Sequence, residues 1–230
     1  MKKKISIREF MDKLKITAGD LSIRIFHFNF IQVNTYVLYD ETKEAVIIDP
    51  GNLSGEENRI LSDFIKNEVL SVKYLINTHP HIDHIFGNEY GKKTFNASLL
   101  MHKAGIPIYE KADEYCSSYP FQRPVFPAPD QYIEAGDKIT FGNQELRVLY
   151  TPGHCDGSVS LWDPRHDLVF TGDVLFEESI GRTDLPTGDL DLLIKGIREN
   201  LFTLADHTIV YPGHGDSTTI GKEKTDNPYL

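Results

Sequence analysis

Four side chains able to bind a metal fall within six residues in Thr78-His79-Pro80-His81-Ile82-Asp83-His84. They follow an apolar run, Val72–Asn77, that reads as a buried strand, and strand ends are where α/β folds place their ligands. Along an extended loop His79 and His81 share one side, leaving Asp83 and His84 for a neighbouring point. Imidazole nitrogen and carboxylate oxygen suit zinc, iron or manganese. The alternative for this segment is a polar loop whose histidines cap a helix at Ile85.

Three later segments repeat one pattern of strand, turn and ligand-type side chain. These are Tyr150-Thr151-Pro152-Gly153-His154, Phe170-Thr171-Gly172-Asp173 and Tyr211-Pro212-Gly213-His214. Gly153, Gly172 and Gly213 each precede the candidate ligand, where a missing Cβ permits a sharp turn or close approach. Singly, each is weak, because an Asp after Gly is commonly a turn residue and a lone His is commonly a hydrogen-bonded core residue. Together with the first cluster they supply five His and two Asp, the ligand count of a two-metal site.

Those residues need elements to hold them. Leu21–Phe28, Asn34–Tyr39 and Ala45–Asp49 read as strands, the last ended by Pro50-Gly51. Ser54 lies three residues before Glu57, a capping-box spacing, and Ile60, Leu61, Phe64 and Ile65 continue at helical period. The spacing therefore predicts a helix over Ser54–Asn67. Ala104–Ser117 has helical character, and 119–135, with Pro120, Pro124, Pro127 and Pro129, reads as an ordered irregular insert. Short strands follow at Lys138–Phe141, Glu145–Tyr150, Ser158–Asp163 and Leu168–Thr171. Asp189 caps a helix through Phe202, and Thr208–Tyr211 is the last strand. The mixture fits two packed sheets with helices outside, an α+β architecture in one domain over residues 1–230.

The balance of 34 acidic against 24 basic residues gives a formal charge of −10. That field repels a phosphate backbone and makes nucleic acid a poor partner. Cys116 and Cys155 are too few for a disulfide framework and form no CxxC pair, which points to a reducing cytoplasm. The basic start, Met1-Lys2-Lys3-Lys4, is not followed by a continuous apolar stretch, because Arg8, Glu9, Asp12, Lys13 and Lys15 interrupt it. No run reaches the ~20 apolar residues that span a bilayer. The sequence does not read out an oligomeric state.

His79-Pro-His81-Ile-Asp83-His84, then His154, Asp173 and His214, resembles the HxHxDH…H…D…H signature of the metallo-β-lactamase superfamily. The resemblance runs over nearly the whole chain and includes Ile48-Asp49-Pro50-Gly51. It implies a four-layer αββα sandwich with the metal site at one edge. It also implies that His79, His81 and His154 hold one metal, that Asp83, His84 and His214 hold the other, and that Asp173 bridges them. Gly172–Phe176, Ile180–Pro186 and the closing Asn227-Pro228-Tyr229-Leu230 look like single-domain bacterial glyoxalase II-like hydrolases. β-Lactamases of the main branch carry a cysteine at the position of Asp173, which argues against antibiotic hydrolysis as the primary role.

The resemblance thus implies a dinuclear hydrolase for a small thioester of the S-lactoylglutathione kind, with two divalent ions, zinc first and iron or manganese as alternatives. Metals about 3.5–4 Å apart hold a shared hydroxide at neutral pH and polarise the acyl carbonyl. Asp83 is a ligand first and a proton acceptor second. Arg182 is the candidate contact for a substrate carboxylate, against the alternative of an ion pair with Asp184. Only sixteen residues follow His214, so the helical glutathione-binding domain of full-length glyoxalase II is not expected. The rival function is that of the persulfide dioxygenases, which share HxHxDH and a Gly-Arg-Thr-Asp segment but use one iron, held by two His and one Asp. A nuclease, a lactonase or a non-catalytic scaffold stand further off.

The remaining features carry plainer readings. Cys155 reads as a small buried side chain, and His27, His102, His166 and His207 as surface or hydrogen-bonded residues. Phe26, Phe28 and Phe30 read as one strand face. Tyr115, Tyr119 and Phe121 read as exposed loop packing rather than a pocket wall.

Overall fold

A computed structural model describes residues 15–117 and 123–230. The first sheet opens with four antiparallel strands: β1 (Lys15–Ala18), β2 (Leu21–Phe28), β3 (Val33–Tyr39) and β4 (Glu44–Ile48). Helix α1 (Gly55–Asn67) returns the chain, so that β5 (Ser71–Ile76) lies parallel to β4. The short helices α2 (Ile82–Ile85) and α3 (Asn88–Phe95) lead to β6 (Ser98–His102). Helices α4 (Ile106–Tyr109) and α5 (Ala112–Cys116) precede β7 (Gln131–Ile133), and β5, β6 and β7 are parallel neighbours.

The second sheet contains β8 (Lys138–Phe141), β9 (Gln144–Tyr150), β10 (Val159–Asp163) and β11 (Leu168–Gly172), antiparallel in turn. A small hairpin, β12 (Leu175–Phe176) and β13 (Ser179–Ile180), and helix α6 (Leu190–Gly196) follow. Then β14 (Ile209–Pro212) joins parallel to β11, with β15 (Thr218–Thr219) outside it and α7 (Ile220–Asp226) behind.

Side-chain alternation along the strands makes the layers. Leu21, Ile23, Tyr36, Leu38, Val46 and Ile48 turn inward and meet Leu146, Val148, Val159, Leu161 and Phe170 of the other sheet. Val37, Tyr39, Ala45 and Ile47 turn outward beneath Leu61, Phe64 and Ile65 of α1. Val169 and Val210 face Leu193, Ile197 and Leu201. The result is the αββα sandwich. Among the described residues no helix is long and apolar enough to cross a membrane.

Helix α1 begins where the spacing places it. Ser54 Oγ accepts from Glu57 N at 3.2 Å, and Glu57 Oε2 accepts from Ser54 N at 2.8 Å, so two otherwise orphaned donors are satisfied. Ser54→Ala should lower stability by about 1 kcal/mol in urea unfolding. No change would mean that Glu57 alone holds this helix end.

Several expectations need correction. The helical stretch at 104–117 is broken into separate short turns, a 3-10 turn at Lys103–Gly105 and then α4 and α5. The proline-rich insert is not irregular to its end, because Gln131–Ile133 pairs with Leu100–His102 as an edge strand. The helix through Phe202 widens after Gly196 into a π turn, with Phe202 N donating to Ile197 O at 2.9 Å. Phe26 and Phe28 stack at 5.2 Å, but Phe30 has left the strand and is 54% exposed against Phe86. Tyr119 and Phe121 lie outside the described residues.

Candidate metal centre

All seven candidate ligands leave the same edge of the sandwich. His79 and His81 sit in the turn after β5, Asp83 and His84 on α2, His154 after β9, Asp173 after β11 and His214 after β14. The ligand atoms of His79, His81 and His154 lie within 4.8 Å of one another, as do those of Asp83, His84 and His214. His81 Nδ1 is 2.8 Å from His154 Nε2. Asp83 Oδ2 is 3.1 Å from His214 Nε2 and 3.4 Å from His84 Nε2. The Asp173 carboxylate stands between the groups, 3.4 Å from His84 Nε2 and 3.7 Å from the Nε2 atoms of both His154 and His214.

Hydrogen bonds behind the rings fix which nitrogen faces inward. His84 Nδ1 donates to Asp49 Oδ2 at 2.9 Å, and His154 Nδ1 donates to the carbonyl of Arg182 at 2.7 Å. His214 Nδ1 donates to the carbonyl of Gln32 at 3.3 Å. Thr78 Oγ1 spends its own proton on Asp49 Oδ2, so His79 Nδ1 donates to Thr78 Oγ1 at 3.1 Å. Each of these four rings therefore turns an Nε2 lone pair toward the centre. His81 instead presents Nδ1.

This centre passes a test for metal. His79 Nε2, His84 Nε2 and Asp173 Oδ1 are buried without a hydrogen-bond partner, and buried polar atoms are seldom left so. A cation bound there would satisfy all three. A third close grouping, Asp49 with His79 and His84, is not a ligand set. Both Asp49 oxygens are already taken, by Thr78 N, Thr78 Oγ1 and His84 Nδ1. Asp49 orients ligands, and its left-handed backbone (φ 49°) is a conformation that aspartate tolerates.

Charge is distributed unevenly across the centre. Burial and the neighbouring imidazoles hold His79 well below the usual histidine range, and burial brings His81 down to about 4. His154 is likewise lowered, chiefly by burial. On the other side burial opposes protonation of His84, but Asp83, Asp173 and Asp49 outweigh it and raise its pKa. His214 is raised by its contact with Asp83 and by Asp173, again against burial. Burial also works against ionisation of Asp83, yet His84 and His214 keep its carboxyl below the usual range.

The glycines before the ligands have distinct reasons. Gly153 holds φ 124° against the backbone of Leu193, where a Cβ would come within 2.3 Å of Leu193 N. At Gly213 a Cβ would lie 2.2 Å from Asp173 Oδ1 and 2.7 Å from His84 Cε1, inside the centre itself.

Residues not singled out as site residues in the sequence hold the loops. Asn29, at φ 54°, sends its amide to the carbonyls of Gly51 (2.9 Å) and Asp83 (3.0 Å), while its backbone N donates to Glu57 Oε1 at 2.7 Å. Asn34 Nδ2 donates to the carbonyls of Pro212 and Gly215 on either side of His214. The four other histidines lie away from the centre. His27 bonds Asn34, His166 bonds Asp163 and Asp20, His207 bonds Asp167, and His102 stacks on Tyr150 at 4.3 Å.

A cavity of about 450 Å³ opens over His81, Asp83, His154, Asp173 and His214. Its other walls are Ile31, Ile82, Ile108, Tyr115, Leu185, Pro186 and Arg182. Tyr115 is thus a pocket wall, contrary to the expectation of loop packing. Arg182 takes both readings: it lines the cavity, and its Nε and Nη2 each donate to Asp184 at 2.7 Å. Cys155 is fully buried beside Ser158, and burial pushes its thiol up to about 12, so it is an inert core residue.

Residues 28–214 match the family described as the Metallo-beta-lactamase superfamily. The chain is 34% identical over 212 residues to the hydroxyacylglutathione hydrolase GloC of Haemophilus influenzae, covering 91% of this chain and 98% of that protein. It is similar to the crystal structure of the BLEG-1 B3 metallo-beta-lactamase, with 35% identity, a TM-score of 0.79, and 90% and 99% of the two chains covered. A protein crystallised in a di-iron-bound form gives 32% identity, a TM-score of 0.80 and the same coverage. With a His/Asp cluster able to bind a metal at the edge of its paired sheets, the chain belongs to the metallo-β-lactamase superfamily and is a metallo-hydrolase of it.

Proposed function

We propose that the protein binds two divalent ions, zinc foremost, and hydrolyses a small acyl thioester, as one hydrolase domain in the cytoplasm. His79, His81 and His154 hold one ion, Asp83, His84 and His214 the other, and Asp173 lies between. The observation that carries this reading is the Asp173 carboxylate, within 3.4–3.7 Å of imidazoles from both groups. When bound, the metals supply a water nucleophile at neutral pH and a Lewis acid for the acyl oxygen.

The chain's own residues do the rest. Asp83, held ionised by His84 and His214 against its burial, turns Oδ2 to the ligand side and serves second as a proton acceptor. Asp49, Thr78 and the carbonyls of Arg182 and Gln32 keep the rings in register. Ile31, Ile82, Ile108 and Leu185 exclude bulk water from the acyl group. The identity to GloC supports the thioester, the di-iron neighbour supports a dinuclear centre, and two buried unpaired cysteines fit a reducing compartment.

The test is to quantify metals in protein purified without added metal, and to assay S-lactoylglutathione cleavage with oxygen uptake on glutathione persulfide in parallel. Two metals per chain with thioester cleavage is expected. One iron with persulfide-dependent oxygen uptake would replace this reading with the dioxygenase. The likeness to BLEG-1 adds a penicillin to the panel.

The charge asymmetry gives a further expectation. Metal competes with protons for imidazole, and the raised pair, His84 and His214, hold theirs more tightly than the lowered His79, His81 and His154. Acidification from about pH 8 to about pH 5 should therefore release one metal equivalent before the other. Dialysis at stepped pH with metal analysis reads this, and simultaneous loss of both ions would contradict it.

A further inference from the structure

On the two-metal reading, His214 has the least support of its own within the group Asp83, His84 and His214. It sits between Gly213 and Gly215, so neither neighbouring side chain packs its backbone in place. Its side chain is 23% exposed, against 0% for His84 and 10% for Asp83. Its ring bond to the Gln32 carbonyl, at 3.3 Å, is longer than those made by His84 (2.9 Å) and His154 (2.7 Å). The backbone must therefore carry the placement.

That backbone is gripped from the other sheet. Asn34 on β3 donates from Nδ2 to the carbonyls of Pro212 at 3.0 Å and Gly215 at 2.9 Å. Its backbone N donates to the Gly213 carbonyl at 2.7 Å, and Tyr36 Oη donates to the Pro212 carbonyl at 2.6 Å. Three carbonyls around His214 are thus held by one strand.

Asn34 is held in turn by His27, its directly opposed partner on β2. Both Nδ2 hydrogens are spent on carbonyls, so Oδ1 is left to accept from His27 Nδ1 at 2.7 Å. This bond fixes the plane of the amide and so aims both of its donors. None of these bonds reaches the turns bearing His79, His81 or His154, where Thr78 and the Arg182 carbonyl hold the rings.

We propose that His27 and Asn34 are a pair of positioning residues for His214, and that they set how tightly the Asp83, His84 and His214 group holds its ion without altering the other group.

Zinc titrated by calorimetry into the metal-free protein reads the two groups as two affinities, and His214→Ala marks which is which. Asn34→Asp keeps the shape, removes both side-chain donors and sets a carboxylate against two carbonyl oxygens. It should weaken the affinity that His214→Ala abolishes about 10–100-fold and leave the other within about twofold. His27→Leu, at an exposed strand position, should weaken the same affinity at least about threefold. His27→Asn, which restores a donor near the place of Nδ1, should return it to the parent value. Weakening of both affinities alike, or of neither, overturns the proposal, as does equal binding by His27→Leu and His27→Asn. A parent protein that binds a single zinc overturns the two-metal reading alone, because hydrogen exchange of the metal-free protein still tests the pair. There the Gly213 amide, which donates to Gly172 O at 2.8 Å, should exchange about tenfold faster in His27→Leu than in the parent or His27→Asn, with the Thr78 amide unchanged. Equal exchange at Gly213 in all three proteins overturns the proposal.

Discussion

Asp173→Ala should leave a folded protein that binds at most one metal per chain and loses at least about 10³-fold in kcat/KM, roughly 4 kcal/mol of barrier. The carboxylate faces His84 on one side and His154 on the other, with His214 also within 3.7 Å. On the proposed two-metal reading, removing it would delete a ligand shared by both ions. Asp173 Oδ1 accepts no hydrogen bond, so the metal-free variant loses only the ion contacts of the carboxylate with His84, His154 and His214 at 3.4–3.7 Å. In chelator its thermal midpoint should stay within a few degrees of the metal-free parent, which separates metal loss from misfolding. Retention of two metals and full turnover would remove Asp173 from the centre. Asp173→Asn should fall between the two, keeping one oxygen but losing the charge.

Asp49→Ala tests the layer behind the ligands and should be costly in a different way. Three buried donors, Thr78 N, Thr78 Oγ1 and His84 Nδ1, converge on this side chain at 2.6–2.9 Å. Leaving buried donors unpaired costs about 1–3 kcal/mol each, and they relax only in part, so a stability loss of about 3–5 kcal/mol is expected even without metal. The freed His84 ring, no longer fixed in tautomer or angle, should lower metal affinity about 10–100-fold. Urea unfolding in chelator and metal titration measure the two losses independently. A drop in affinity with unchanged metal-free stability would show that the network forms only around the bound ions.

The contrast between these two residues marks what can be read from a sequence. The place of Asp173 in the His/Asp cluster was legible because it repeats a local pattern, a strand, then glycine, then a ligand-type side chain, that also flags His154 and His214. Asp49 stood in plain view before Pro50-Gly51 but offered only a strand end, because its partners lie 29 and 35 positions away. Asn34 is more remote still, reaching Pro212 across 178 positions. Contacts of that kind arise when two sheets close on each other, and no local period records them. The same holds for Tyr115. Its stretch gave a helical signal, but its place in the pocket wall depends on where the broken helices after β6 lie over the site. The long strands were clear from alternation, while two- and three-residue strands such as β7, β13 and β15 are defined by their neighbours rather than by their own composition.

One path through the fold ties the ligands to a distant element. Glu57 caps helix α1 and, with its other oxygen, holds the backbone of Asn29, whose amide in turn holds the backbone of Asp83. The start of α1 and the ligand segment are thus parts of one opening unit: letting go of Asp83 loosens Asn29, and with it the grip on the helix end. Metal occupancy should therefore slow hydrogen exchange at the Asn29 amide and at the first amides of α1, none of which belongs to a proposed ligand, while α7 exchanges at the same rate with and without metal.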